Sequence, residues 1–382
     1  MSAHDFGFGE EAAQVRDEVR RLLARRLPRG AVRASRAPDP TAVERGDTFP
    51  YDQALWQDLR SLGLSGAALP ESVGGAGLGA AASVAIAEEL GRAAAPSPLS
   101  ATLMVAGLAR ELFVRAPSDG AELLARRLVG GSSATLAGAS ASDGTPGFDA
   151  LVLADGALSG VARFVADAPE AELLVALARA GDAPSIVVVE RATPRLTVVE
   201  DRIVDATRRQ GPVHASGAVG AVVASGEAAR AAWAAALPWL WTLAAADVVG
   251  ACEWLLSTTC EYAKTREQFG RPIGVYQAVK HQLVAMMSTI DLARSLVYDA
   301  ASAIEHAPAR AEEAARAAKA QACEAARLCA GRAVQLHGGI GFTWECDVHL
   351  WMKRAIHGQL SLGDAAHHRS ALARLWLDPG VR

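Results

Sequence analysis

Several things are scarce in this 382-residue chain, and each scarcity narrows what it does. There are only five cysteines, Cys252, Cys260, Cys323, Cys329 and Cys346, all in the C-terminal third and none in a C-x-x-C pair. They read as buried or idle thiols of a reducing, cytoplasmic setting, not as a disulfide framework. No basic block occurs and the net charge is −4, which excludes nucleic acid as the expected partner. Lys and Arg are spread instead along helical stretches such as residues 16–26, as a solvated face requires. No i, i+4 histidine pair with an acidic third ligand is present, so no metal site is predicted. His349, His357, His367 and His368 come late in the chain, the last two on what reads as a solvated or subunit-facing helix. A G-x-S-x-G elbow is missing, which argues against a serine hydrolase. The first residues lack a basic region followed by an apolar one, so no secretory leader is expected. The longest apolar run, Ala231 to Ala246, contains Pro238 and ends at Asp247. It is short for a membrane span and suits a buried helix.

What the chain does have is core-forming capacity. Hydrophobic residues make up 51% and charged residues 21%, enough for a large interior spread over two or three domains. Residues 1–130 carry a helical period: Glu11–Leu27 aligns Val15, Val19, Leu22 and Leu23 on one face. Tyr51–Leu64 and Ala80–Arg92 repeat it, with prolines at the joins. Residues 131–226 switch to short β-branched runs, at Ala150, Glu172, Ser185, Arg195 and Ala218–Val223, separated by Gly, Asp and Pro. They predict five or more strands of a small antiparallel sheet or barrel. Residues 227–382 return to the helical period, with Ala309–Ala330 a strong helix former. The expected fold class is α+β: helical domain, small β domain, C-terminal helical bundle.

Gly75, Gly77, Gly79 and Ala80 imitate a dinucleotide fingerprint. That motif needs a preceding strand and a βαβ unit, whereas Pro70-Glu-Ser-Val precedes it here. A glycine-rich connection between helices is the better reading.

Two stretches call for a ligand. The first runs from Tyr262 through Arg266, Gln268, Phe269, Gly270 and Pro272 to Gln277. It places a cation, an amide and an aromatic ring at the end of a long apolar helix, a combination no packed core demands. A large phosphate-bearing cofactor would use it: Arg for a pyrophosphate, Gln for hydrogen bonds, Phe for a flat ring. The second is Gln335-Leu-His337-Gly338-Gly339-Ile-Gly341-Phe342. Its glycines stop an Ala-rich helix, which alone reads as a plain helix terminus; they would also allow close approach of a ligand and offer backbone N–H groups to phosphate or ribose.

Together, and with the Leu69–Gly79 turn and the helix–β–helix order, these stretches resemble the acyl-CoA dehydrogenase family of flavoproteins. The resemblance covers most of the chain. It implies FAD as cofactor and an acyl-CoA thioester as substrate. It also implies a homodimer or tetramer in which FAD lies across a subunit interface, and an electron-transfer flavoprotein as acceptor. Arg266, Gln268, Phe269 and Gln277 would then touch FAD held mainly by a neighbouring subunit, and Gln335, Gly338 and Gly339 its adenosine and pyrophosphate end. The implied reaction is α,β-desaturation, with hydride transfer to the flavin and removal of the α-proton by a carboxylate, in fatty-acid or steroid side-chain β-oxidation.

The chain departs from that pattern where the chemistry should be. The family's usual Glu falls on Leu362, and the alternative Glu position in some relatives falls on Leu240. Two carboxylates lie close enough to substitute. Asp247 is two helical turns beyond Leu240, where desolvation would raise its pKa; it reads equally as a buried partner for an Arg or Lys of another helix. Asp364 follows Leu362 by two residues and reads equally as the N-cap of a helix over 365–375. The loops that wrap the flavin in relatives are reduced here to Ala137–Gly144 and Ala162–Asp167, with Phe164 the one ring available to stack. Loss of both Glu positions beside retention of the Arg266 and Gly338 stretches fits one chain of a heterotetramer with a second dehydrogenase chain. A non-catalytic, FAD-completing subunit and a flavin oxidase or monooxygenase on the same fold are the alternatives.

Overall fold

The computed structural model describes residues 9–36, 41, 47, 49–138 and 146–377. The N-terminal helices are α1 (Glu10–Arg26), α2 (Ala31–Arg36), α3 (Gln53–Ser61), α4 (Gly79–Arg92), α5 (Leu99–Arg115) and α6 (Asp119–Val129). Their starts follow local chemistry. The Asp52 side chain accepts from the Ala54 N–H at α3, and Ser118 accepts from Ala121 at α6, each satisfying a donor the helix itself leaves unpaired. In α1, Val19, Leu22 and Leu23 are buried as the period predicted.

Eight strands follow: β1 (Ala134–Ala137), β2 (Leu151–Ala154), β3 (Ala157–Ala166), β4 (Leu173–Ala180), β5 (Ala183–Glu190), β6 (Leu196–Val198), β7 (Gln210–Val219) and β8 (Ala221–Ser225). They form one sheet in the order β6-β7-β3-β2-β4-β5-β8, with β1 beside β4. The sheet is not purely antiparallel, as the sequence suggested. Both β1 and β2 run parallel to β4, β1 against Leu173–Ala176 and β2 against Ala178 and Arg179. The two short strands thus lie end to end along one long one. The reason β4 reads as an unbroken apolar run is visible in its burial. Leu173, Val175 and Leu177 enter the main core, while Leu174, Ala176 and Ala178 enter a second cluster on the other face, the period of two buried on both sides.

The C-terminal helices are α7 (Gly226–Thr265), α8 (Gln277–His306), α9 (Pro308–His337), α10 (Val348–Leu360) and α11 (Ala365–Leu377). Helix α7, 40 residues long, is the axis of the molecule. Its most apolar window is 89% buried within the fold, so this is a core helix. Trp239, Leu240, Trp241, Leu243, Val248, Val249 and Leu255 are all buried, each contributing about 1.5–3 kcal/mol. Helices α4 and α7 meet at two glycines. A Cβ on Gly91 would lie 1.9 Å from the Asp247 carbonyl oxygen, and one on Gly250 1.9 Å from that of Glu88. Only glycine permits that spacing, and it fixes Asp247 against the N-terminal helices.

The glycine-rich stretch near residue 75 is, as expected, a connection into α4. Its glycine requirement is backbone packing, since a Cβ on Gly75 would lie 2.2 Å from the Leu69 carbonyl oxygen.

Candidate functional site

Helix α7 ends at Thr265, and Arg266 caps it through its N–H on the Tyr262 carbonyl at 2.8 Å. The chain then makes a two-residue hairpin, β9 (Glu267–Gln268) against β10 (Arg271–Pro272), with Gln268 opposite Arg271. The turn residues Phe269 and Gly270 have φ of 55° and 76°, the two positive values of a type I′ turn. Glycine adopts that region freely; phenylalanine does so at a cost of about 1–2 kcal/mol. Phe269 is nevertheless 92% exposed. The hairpin beneath it is braced. The Ile273 N–H donates to the Arg266 carbonyl at 2.8 Å, Tyr276 Oη donates to the Gln268 carbonyl at 3.2 Å, and the Arg271 guanidinium lies over the Tyr276 ring at 4.7 Å. A strained aromatic held rigidly in solvent is a feature the isolated chain does not need.

The second stretch closes α9. The His337 imidazole stacks on Tyr262 with ring centroids 4.3 Å apart, and its Nδ1 lies 2.8 Å from the Ala333 carbonyl. Burial holds His337 below the usual histidine range. This stacking brings together two stretches 75 residues apart in the chain, the end of α7 and the end of α9. Gly338 takes φ 65°, and its N–H returns to the carbonyls of Gln335 and Val334. It caps its own helix, so that N–H serves the helix terminus and is not directed at a ligand. Arg266, Gln268, Phe269, Gln277, Gln335, Gly338 and Gly339 are all exposed, and Arg266 points at no acceptor of its own chain among the described residues.

The two carboxylates are already engaged. Asp247 is buried and bound by Arg354, Nε at 3.0 Å and Nη2 at 2.6 Å, and by Arg208 Nη2 at 2.9 Å. Burial pushes its carboxyl up, but the two guanidiniums outweigh burial and hold it below the usual carboxylate range. This corrects the expectation of a raised pKa: Asp247 is a locked anion and a poor base. Asp364 accepts from the His367 N–H at 2.8 Å as the N-cap of α11, the cap that is one of its two readings from sequence.

The two leucines line the interior instead. Leu240 is fully buried; Leu362 is buried with φ 60°. The turn around Leu362 is held by Lys319 of α9, a residue the sequence offered no reason to single out within an Ala-rich helix. Its fully buried Nζ donates to the carbonyls of Gly358 (3.2 Å), Gln359 (3.1 Å) and Gly363 (2.9 Å) and contacts Cys323 Sγ at 3.2 Å. Burial lowers its pKa. His368, expected on a solvated or subunit-facing helix, is buried within its own chain: Nε2 donates to the Leu362 carbonyl at 3.0 Å and the ring packs edge-on to Trp241. Burial first, then Lys319, depress its pKa to about 3. His349 is depressed to about 4, by burial and then by Lys353 and Arg33.

On the sheet, Phe164 sits at a β3 bulge with φ 54° and is 44% exposed. Most of the other expected flavin loop, residues 139–145, lies outside the described residues.

Comparison with known proteins places both halves. The acyl-CoA dehydrogenase N-terminal domain family matches residues 9–115 and the C-terminal domain family residues 233–377. Acyl-CoA dehydrogenase IpdE2 of Mycobacterium tuberculosis is 35% identical over 367 residues, covering 96% of each chain. Among solved structures, a Tcur3481–Tcur3483 steroid ACAD variant superposes with a TM-score of 0.84 at 28% identity, covering 98% of this chain and all of the other. The ChsE4–ChsE5 complex from Mycobacterium tuberculosis gives 0.80 at 25% identity, with 97% and 98% covered.

Proposed function

The chain belongs to the acyl-CoA dehydrogenase family, and from that premise we propose that it acts as one chain of a heteromeric, FAD-dependent acyl-CoA dehydrogenase whose catalytic carboxylate comes from the companion chain. The observation that carries this reading is the interior around Leu240 and Leu362. Both positions are apolar and buried, and both nearby aspartates are spent, Asp247 on two arginines and Asp364 on a helix cap. Neither leucine can take the α-proton of a thioester, and Asp247, held as an anion by two guanidiniums, is a poor base for it. The relatives in complexes, a ChsE4–ChsE5 assembly and a Tcur3481–Tcur3483 steroid ACAD, support a two-chain enzyme acting on a bulky, steroid-derived acyl-CoA.

The residues present fit a dinucleotide contributed across an interface. Arg266 is exposed without an acceptor among the described residues, Phe269 is displayed on a braced turn, and the glycines after Gln335 leave their surface open. Arg266, Gln268, Phe269 and Gln277 would hold FAD seated chiefly on the companion, with Gln335, Gly338 and Gly339 at its adenosine end. Bound FAD supplies the hydride acceptor for desaturation. This chain's part is binding and orientation. Arg266 offsets phosphate charge, Phe269 excludes water from one side of a flat ring, and the Tyr262–His337 stack keeps the two stretches in register.

Coexpression with a companion acyl-CoA dehydrogenase chain tests the proposal. The expected result is a complex carrying flavin absorbance and acyl-CoA dehydrogenase activity, with little flavin in the isolated chain. An isolated chain that binds FAD stoichiometrically and turns over an acyl-CoA at an Asp247-dependent rate would overturn it. Oxygen consumption without an added acceptor would favour the oxidase alternative.

A further inference from the structure

Along α9 a shallow groove of about 330 Å³ is lined by Arg327, Leu328, Gly331, Arg332 and Gln335. These positions fall on one face of α9, rising towards the second stretch. Gly331 is the informative one. It lies in the interior of a 30-residue helix, where glycine is disfavoured relative to alanine. A helix-interior glycine usually answers to a close neighbour. Here a Cβ would meet nothing within 4 Å, so no neighbour in this chain accounts for it. Arg332 is equally unspent. Its Nη1 reaches only the Gln282 side chain at 3.4 Å, and among the described residues no carboxylate pairs with it. Arg327, by contrast, is paired with Glu324 at 3.1 Å. At this end of the molecule Arg266 and Arg271 also have no carboxylate partner among the described residues, although the chain as a whole is acidic.

A cleared floor, an apolar side at Leu328 and a free guanidinium describe a seat for a flat, phosphate-bearing group. The groove is at the small end of ligand sites, so it takes one end of a long ligand. We infer that Arg332 and the Gly331 floor seat the adenosine diphosphate end of the dinucleotide, with Arg332 as a second cation for the diphosphate beyond Arg266. This inference rests on the proposed function above and extends its site along α9 past Gln335.

The test uses the coexpressed complex, stripped of flavin and titrated with FAD, with ADP as competitor. Arg332→Gln removes a charge-assisted bond, so FAD affinity falls about tenfold or more, and ADP loses its power to displace FAD. Gly331→Leu closes the floor: the isolated chain melts no lower than wild type, but its complex binds FAD weakly. If both variants bind FAD and ADP as wild type does, the inference is overturned. It is overturned too if Gly331→Leu prevents assembly while Arg332→Gln leaves FAD binding unchanged, since the groove is then a protein contact. A wild-type complex that takes up no FAD refutes the proposed function itself.

Discussion

Replacing Phe269 by asparagine should make the isolated chain's hairpin more stable while disabling its role. Phe269 holds φ 55° ahead of Gly270 at 76°, and Asn-Gly is the preferred pair for this turn. Relief of the left-handed strain contributes roughly 1–1.5 kcal/mol. Against it stands the loss of an edge contact with Tyr276 at 6.3 Å, about 0.5 kcal/mol for a ring so exposed. The net gain, about 0.5–1 kcal/mol, is too small to move the melting point of a 382-residue chain by more than about 1 °C. It is readable locally. The Ile273 amide, bonded to the Arg266 carbonyl, should exchange its hydrogen about two- to fivefold more slowly in F269N. The same variant in the coexpressed complex should lose FAD affinity, because the displayed ring is gone. Faster exchange in F269N would mean the ring is a structural brace, and unchanged FAD binding would mean it faces no cofactor; either refutes the reasoning.

Asp247→Asn leaves two buried guanidiniums short of their anion and should cost about 3–5 kcal/mol, read as a large fall in the urea midpoint of the isolated chain. His368 and His349 have folded pKa values of about 3 and about 4, below the unfolded 6.5. The unfolded chain therefore binds more protons between those values, and stability should fall as pH drops from about 6.5 towards 4. H368Q should flatten that slope in urea titrations across the window. Lys319→Met strands the carbonyls of Gly358, Gln359 and Gly363 and should cost about 2–4 kcal/mol, with amide exchange accelerated first around Leu362. Arg266→Gln should weaken FAD binding by the complex without changing the melting of the isolated chain.

Helices α1, α3 and α4 were legible because their apolar periods are long and prolines mark the joins. Strands β2, β4, β5 and β6 were legible as β-branched runs. Ala218–Val223 was read as one strand, yet it straddles the end of β7 and the start of β8, parted at Gly220. Strands β1, β3 and most of β7 were not seen. β3 carries Gly160, Arg163 and a bulge between Ala162 and Val165 that breaks the alternation; β7 contains Gly211, Pro212 and Gly217. Parallel pairing of β1 and β2 with β4 has no local signature at all. In the site, Arg266 and Gly338 stood out by residue type. The Tyr262–His337 stack joining them is a tertiary contact, invisible in either stretch. The competition over Asp247 was foreseeable in kind, but which arginine would reach it depended on the glycine-mediated approach of α4 to α7 and on the path of residues 205–208.

On either side of Leu362, the groups Lys319 grips are main-chain oxygens. The socket at position 362 therefore keeps its shape whatever residue fills it. The side chain at 362 can change without removing the bonds that hold the turn, which ties the shape of this corner to α9 and not to the residue that occupies it.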